Sequence, residues 1–191
     1  MSTTLLFAEL LIAGIQVIVW FVILLLSVFG YDWVFTIQTQ VISGWQVLIT
    51  IIVLPFVYVL GILFDRLADI IFSKWDRTIG KKFFDKEAPY IFARVRFQIS
   101  KDNDQLNHEF EYTRSRQRIV RASSLNFAIT TVLAIIFVGT RLQGVPNSLT
   151  LLYFIALIGS LLTILAIVTW YKLINSYYGL IKANLPNGQN K

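Results

Sequence analysis

The chain has 191 residues, of which 56% are hydrophobic and 15% charged, with a formal net charge of +6 and a mean hydropathy of +0.66. A soluble domain is about 45–50% apolar and about a quarter charged, so this composition excludes an ordinary water-soluble fold. There is no cysteine and one histidine, His108, which excludes disulfides and thiolate sites and argues against a bound metal.

The apolar residues fall into four blocks. Residues 10–29 read LLIAGIQVIVWFVILLLSVF, 44–64 GWQVLITIIVLPFVYVLGILF, 125–140 LNFAITTVLAIIFVGT and 149–171 LTLLYFIALIGSLLTILAIVTWY. A helix crosses a hydrocarbon core in roughly 20 residues; the third block is short but extends back through Ala122, Ser123 and Ser124. An all-α membrane protein with four transmembrane helices is predicted. The start, MSTTLLFAEL, lacks a basic region of the signal-peptide kind, so the first span is expected to be retained.

Of the 17 Lys and Arg, 13 lie between Asp65 and Ser124, three (Lys172, Lys182, Lys191) follow span four, and Arg141 alone lies between spans three and four. The first loop, residues 30–43, has none. Positive charge is retained on the cytoplasmic side, which predicts cytoplasmic termini and a cytoplasmic central insert. Tyr31, Trp33 and Trp45 at one end, and Trp170, Tyr171, Tyr177 and Tyr178 at the other, suit the two membrane interfaces. The chain thus divides into spans one and two (1–64), a charged insert (65–124), spans three and four (125–171) and a tail (172–191).

Leu60, Phe64, Leu67, Ile71, Trp75 and Ile79 recur at helical spacing. One helix is therefore expected from about residue 44 to 79, with Pro55 a site for a kink. A second should run from about Asp104 through the arginine cluster into span three, after the capping run SKDND. At 1.5 Å per residue, the two extensions project roughly 25–30 Å as a hairpin. Between them, residues 81–100 alternate like a strand over Ile91–Ile99, yet Pro89 follows an acidic stretch; a short helix is favoured. KLINSYYGLIKANL (172–185) reads as one further amphipathic helix.

By the 100° helical step, Arg114, Arg118 and Arg121 share a face while Arg116 points away, and Asp65, Asp69 and Asp76 form an acidic stripe. Two readings stay open. Asp65 with Arg121 and Asp69 with Arg118 would lock the hairpin as structural ion pairs, each contributing about 0–1 kcal/mol where exposed. Alternatively the arginines form an anion site, since their planar fork matches phosphate oxygens, with Lys81, Lys82, Arg94 and Arg96 adding to the basic surface. The insert holds 13 basic and 9 acidic residues, a net of +4. Within or beside the spans, Glu9, Gln16, Gln46, Thr50, Asn126 and Thr130 are the candidates for pore lining or for interhelical hydrogen bonds. Ala156 and Ser160 form a small-residue pair on span four. No nucleophile–base set, HExxH or phosphate-cradling glycine loop is present, so neither catalysis nor a cofactor is expected.

Two stretches, GILFDRLADIIF (61–72) and EYTRSRQRIVRASSLNF (111–127), carry a DRxxD step and a YxRSRxRIxR run. They resemble a group of small bacterial four-span membrane proteins, and the layout is similar to the membrane channel effector of Hailong-type antiphage defence systems. That resemblance implies an inner-membrane homo-oligomeric channel, with a tetramer favoured. It also implies an oligonucleotide-like ligand made by a partner nucleotidyltransferase, with Arg114, Arg116, Arg118 and Arg121 as contacts. The alternative is a non-conducting anchor or scaffold that presents the hairpin to a protein partner or to anionic membrane lipids.

Overall fold

The structure is a computed structural model and describes residues 3–32, 42–84 and 104–184. Within these residues it is all-helical: α1 (Thr3–Phe29), α2 (Ile42–Phe83), α3 (Asp104–Arg141) and α4 (Ser148–Ala183). All four are long and apolar enough to cross a membrane. At 42 residues α2 is about 63 Å long, twice the roughly 30 Å hydrocarbon core. It runs through Pro55 and Gly80 without interruption, and α3 likewise carries the arginine cluster into its apolar half.

One expectation needs correction. The segment after span four is not a separate helix; α4 continues without a break to Ala183, because nothing between Trp170 and Ala183 disrupts the helix and its inner face has a partner. The helical spacing of Leu60 to Ile79 does correspond to one continuous helix, with Leu67, Ile71 and Trp75 exposed on it. The buried stripe passes instead through Val57, Gly61, Phe64, Ala68, Phe72 and Ile79. Small residues decide this. A Cβ on Gly61 would stand 2.0 Å from the Leu10 carbonyl oxygen, and one on Gly14 would stand 1.9 Å from that of Val57. The α1 and α2 backbones therefore touch at two points one helical turn apart, which only glycine permits. Gly159 plays the same part between α4 and α3, where its Cβ would fall 2.0 Å from Thr131 Oγ1. Ser160, its neighbour, is exposed.

The main seams are α2–α1, α1–α3 and α3–α4. At the charged end α4 also meets α2, through Phe72, Ile79, Trp170 and Ile174. The Phe72 and Trp170 rings lie 4.7 Å apart at 69°, an edge-to-face contact. Trp170 and Tyr177 are thus buried between helices, whereas Tyr171 faces outward. Trp33 lies outside the described residues, as do the Trp45 side chain and all but the first four residues of the 81–100 segment. At the opposite end, Gly30 closes α1 at a φ of 79°. Arg141 donates from Nε to the Ser27 carbonyl at 2.9 Å and from Nη2 to that of Val28, a cation on the negative end of the α1 dipole.

Candidate functional site

The extended parts of α2, α3 and α4 enclose a polar cavity of about 420 Å³ at the charged end of the bundle. Asp65, Arg66, Asp69 and Asp76 enter it from α2, Arg114, Gln117, Arg118 and Arg121 from α3, and Trp170, Ile174, Tyr177 and Tyr178 from α4. Leu10 and Ile62 line it on the membrane side. Spacing on α2 and α3 explains the gathering, since residues three and four apart share a helix face.

Arg121 does the pairing. Its Nη1 donates to Asp69 Oδ1 at 2.7 Å and its Nη2 to Asp65 Oδ1 at 3.4 Å, with 11% of the arginine side chain exposed. The expected Asp69–Arg118 pair is not formed, because one fork reaches both carboxylates one turn apart on α2. Among the described residues neither Arg118 nor Arg114 makes an ion pair. Among the described residues, three buried atoms around the cavity have no hydrogen-bond partner: Nε of Arg118, Nε of Arg121 and Oδ1 of Asp76. An unsatisfied buried charged group is costly, so such atoms mark a place that a ligand or water would satisfy.

Asp76 lies beyond the membrane-spanning part of α2. Burial is the main force that pushes its carboxyl from 3.8 to about 6; Arg121 pulls against the shift and Asp69 adds to it. Burial, with Asp76 and Tyr177 nearby, raises the Tyr178 hydroxyl as well. That hydroxyl donates to the Asp76 carbonyl at 3.5 Å, and its ring fits only because Gly80 has no side chain, where a Cβ would be 3.2 Å from Oη.

The remaining basic candidates lie elsewhere. Arg116 is exposed and sits 4.8 Å over the Tyr112 ring, while Lys81 and Lys82 are exposed at the end of α2. Arg94 and Arg96 fall outside the described residues. Arg66 and Gln117 join the cavity without having stood out in the sequence: Arg66 lies off the aspartate stripe, and Gln117 shares the arginine face but carries no charge to mark it.

A second polar group lies along the α1–α3 seam. Trp20 Nε1 donates to Asn126 Oδ1 at 2.9 Å, Asn126 Nδ2 to Gln16 Oε1 at 3.0 Å, and Gln16 Nε2 to Ser123 Oγ at 3.1 Å. About two turns nearer the charged end, Ser115 Oγ donates to buried Glu9, which shares a small void with Arg118 and Asp65. Thr130 lines an apolar crevice of about 220 Å³ between α3 and α4. Thr50 is exposed, and the Gln46 side chain lies outside the described residues.

No match to this chain is found among protein-family models, curated proteins or solved structures. The cavity itself offers guanidinium donors beside buried acceptors and donors without partners, in a space bounded by aromatic and aliphatic walls. Its chemistry suits an oxyanion. Among the described residues no group of three His, Cys, Asp or Glu is placed to hold a metal ion.

Proposed function

We propose that this chain is the subunit of an oligomeric pore or ion-channel effector in the bacterial inner membrane, with its termini and charged insert cytoplasmic. A nucleotide or oligonucleotide-like anion, bound at the cavity between α2, α3 and α4, controls it. The observation that carries this reading is the convergence of Arg66, Arg114, Arg118 and Arg121 on one cavity at the charged end of four membrane-length helices. An anion there contacts three of those helices at once, which is how a ligand shifts the balance between two packings.

Oligomerisation is part of the proposal. Gln16 and Asn126 are occupied with each other in the α1–α3 seam, so a hydrophilic path has to form between subunits of a closed ring, a tetramer being favoured. The similarity of the four-span layout to that of Hailong-type effectors supplies the antiphage context and a nucleotidyltransferase partner. Purified protein in planar bilayers should give stepwise currents that a nucleoside phosphate added on one side changes. Bilayers that contain the protein and never conduct would refute the pore.

One observation favours a second reading, that of a non-conducting anchor. Ile70 and Trp75 are 73% and 53% exposed on the α2 extension, beside exposed Lys74 and Arg77, a surface fit for a protein partner. One stoichiometric soluble partner, recovered with no effect on membrane potential, would establish it.

A further inference from the structure

We infer that the cavity takes one phosphate-ester group between Arg114 and Arg118, on a ligand that also offers a hydroxyl or amino hydrogen to the Asp76 carboxylate. The inference deepens the proposed control site and relies on that reading for its purpose, but its test reads binding alone.

The four arginines are not equivalent. Arg121 directs both terminal nitrogens to Asp69 and Asp65, so its charge is matched by two carboxylates and it holds α2 to α3. Arg116 is turned away onto Tyr112. Arg114 and Arg118 remain. They are one turn apart on the same helix face, about 6 Å along the axis, and both line the cavity without an ion pair among the described residues. That separation lets two planar forks close on one phosphate from either side.

Helix direction brings Asp76 to the same place. Because α2 and α3 are antiparallel and Arg121 is level with residues 65–69, seven residues back along α3 places Arg114 level with about residues 72–76, roughly 10 Å further from the membrane. Asp76 Oδ1 is buried there with no donor. A bare polyanion would satisfy the arginines and be repelled by Asp76. A phosphate ester with its own donor group satisfies both, and the cavity of about 420 Å³ has room for more than phosphate itself. Such a group comes either from a soluble nucleotide or sugar phosphate, or from a glycerol-bearing lipid headgroup that enters past Leu10 and Ile62.

The test uses full-length protein in lipid nanodiscs, with calorimetric titration of inorganic phosphate, glycerol 3-phosphate and a nucleoside 5′-monophosphate. The hydroxylated esters should bind at least tenfold more tightly than inorganic phosphate. Arg114→Gln and Arg118→Gln should each weaken them at least tenfold while keeping a cooperative thermal transition, Arg116→Gln should leave them within twofold, and Asp76→Ala should abolish the preference over inorganic phosphate. Phosphatidylglycerol nanodiscs that compete with the soluble ester, where phosphatidylcholine nanodiscs do not, assign the site to a lipid headgroup; equal binding in both assigns it to a soluble ligand. Arg118→Gln and Arg114→Gln proteins that bind like wild type overturn the inference, as does a wild type that binds none of the probes. Binding as described in a protein that never conducts would refute the pore and leave this site standing.

Discussion

Arg121 and Arg118 lie one turn apart on α3, and the structure gives them opposite energetic roles. Replacing Arg121 with Gln removes the 2.7 Å and 3.4 Å contacts and leaves two carboxylates facing one another across one turn of α2. The Asp65 side chain is 18% exposed and that of Asp69 52%. Breaking a fully buried pair costs about 3–5 kcal/mol, whereas a solvent-screened one is worth about 0–1. With one partner of each kind, the loss should be about 3 kcal/mol. For a chain of this length that corresponds to a fall of roughly 6–12 °C in Tm. Among the described residues Arg118 has no acid within ion-pair distance and its Nε has no acceptor, so the effect of Arg118→Gln should stay within about 1 kcal/mol. Thermal unfolding of purified protein in one detergent, followed by tryptophan fluorescence, measures both. Adding Asp65→Asn and Asp69→Asn to Arg121→Gln should recover most of the loss, since the stranded charges are then gone. Equal Tm shifts for the two arginine variants, or no recovery in the triple variant, would show that Arg121 is not the clamp.

Gly61→Val should destabilise the bundle by about 3 kcal/mol, because its Cβ would collide with the Leu10 backbone. Gly139→Ala, with nothing within 4 Å, should be neutral or slightly stabilising in the same melts. Asn126→Leu strands the Trp20 N–H and removes one of the two donors to the Gln16 carbonyl, and should cost about 1–2 kcal/mol, visible also as a change in tryptophan emission. For Asp76 the folded value of about 6 lies above the unfolded 3.8. Between these values the folded chain keeps a proton that the unfolded chain has released, so this stabilisation is complete below about pH 4 and lost as pH rises through about 6. Asp69, Arg121 and Tyr178 are the groups that face it. Asp76→Asn should therefore raise Tm at pH 7.5 more than at pH 5; an equal shift at both would show that the carboxyl is not perturbed.

Hydropathy made the four membrane-length helices legible, because a run of 20 apolar residues has few alternatives to spanning. Continuity of α2 and α3 past their apolar halves was legible too, from helical spacing with no breaker between Gly61 and Gly80. Which face of α2 packs was not. Leu67, Ile71 and Trp75 have the right spacing and greater hydrophobicity, yet contact follows Gly14, Gly61 and Ala68, where backbones approach most closely. In a chain bound for lipid, apolar residues cover the outside as well as the inside, so hydrophobicity stops marking the core. The same ambiguity hid Trp170 and Tyr177, which resemble interfacial aromatics in composition and are buried between helices in fact. Angular arithmetic placed the three arginines and three aspartates on facing stripes. It had no access to the axial offset that lets Arg121 reach both Asp65 and Asp69 and leaves Arg118 unpaired. Arg141, read as the one cation on the wrong side, turns out to hold the last carbonyls of α1.

The position of the cavity follows from helix length. Leu10 touches Gly61 and Gly14 touches Val57, so α1 and α2 run antiparallel with a known register. From Leu10, α1 is described to Thr3, about 10 Å further, whereas α2 continues 22 residues beyond Gly61, about 33 Å. Among the described residues, α2, α3 and α4 line the space around Asp69, with Leu10 of α1 at its edge. Apolar side chains from Trp170, Ile174 and Tyr177 keep its wall dry, while the polar stripes of α2 and α3 face into it. A charge set there is screened too little to be indifferent to its partners and too loosely packed to satisfy them all. Arg118 and Asp76 both line that cavity and, among the described residues, keep buried atoms without hydrogen-bond partners.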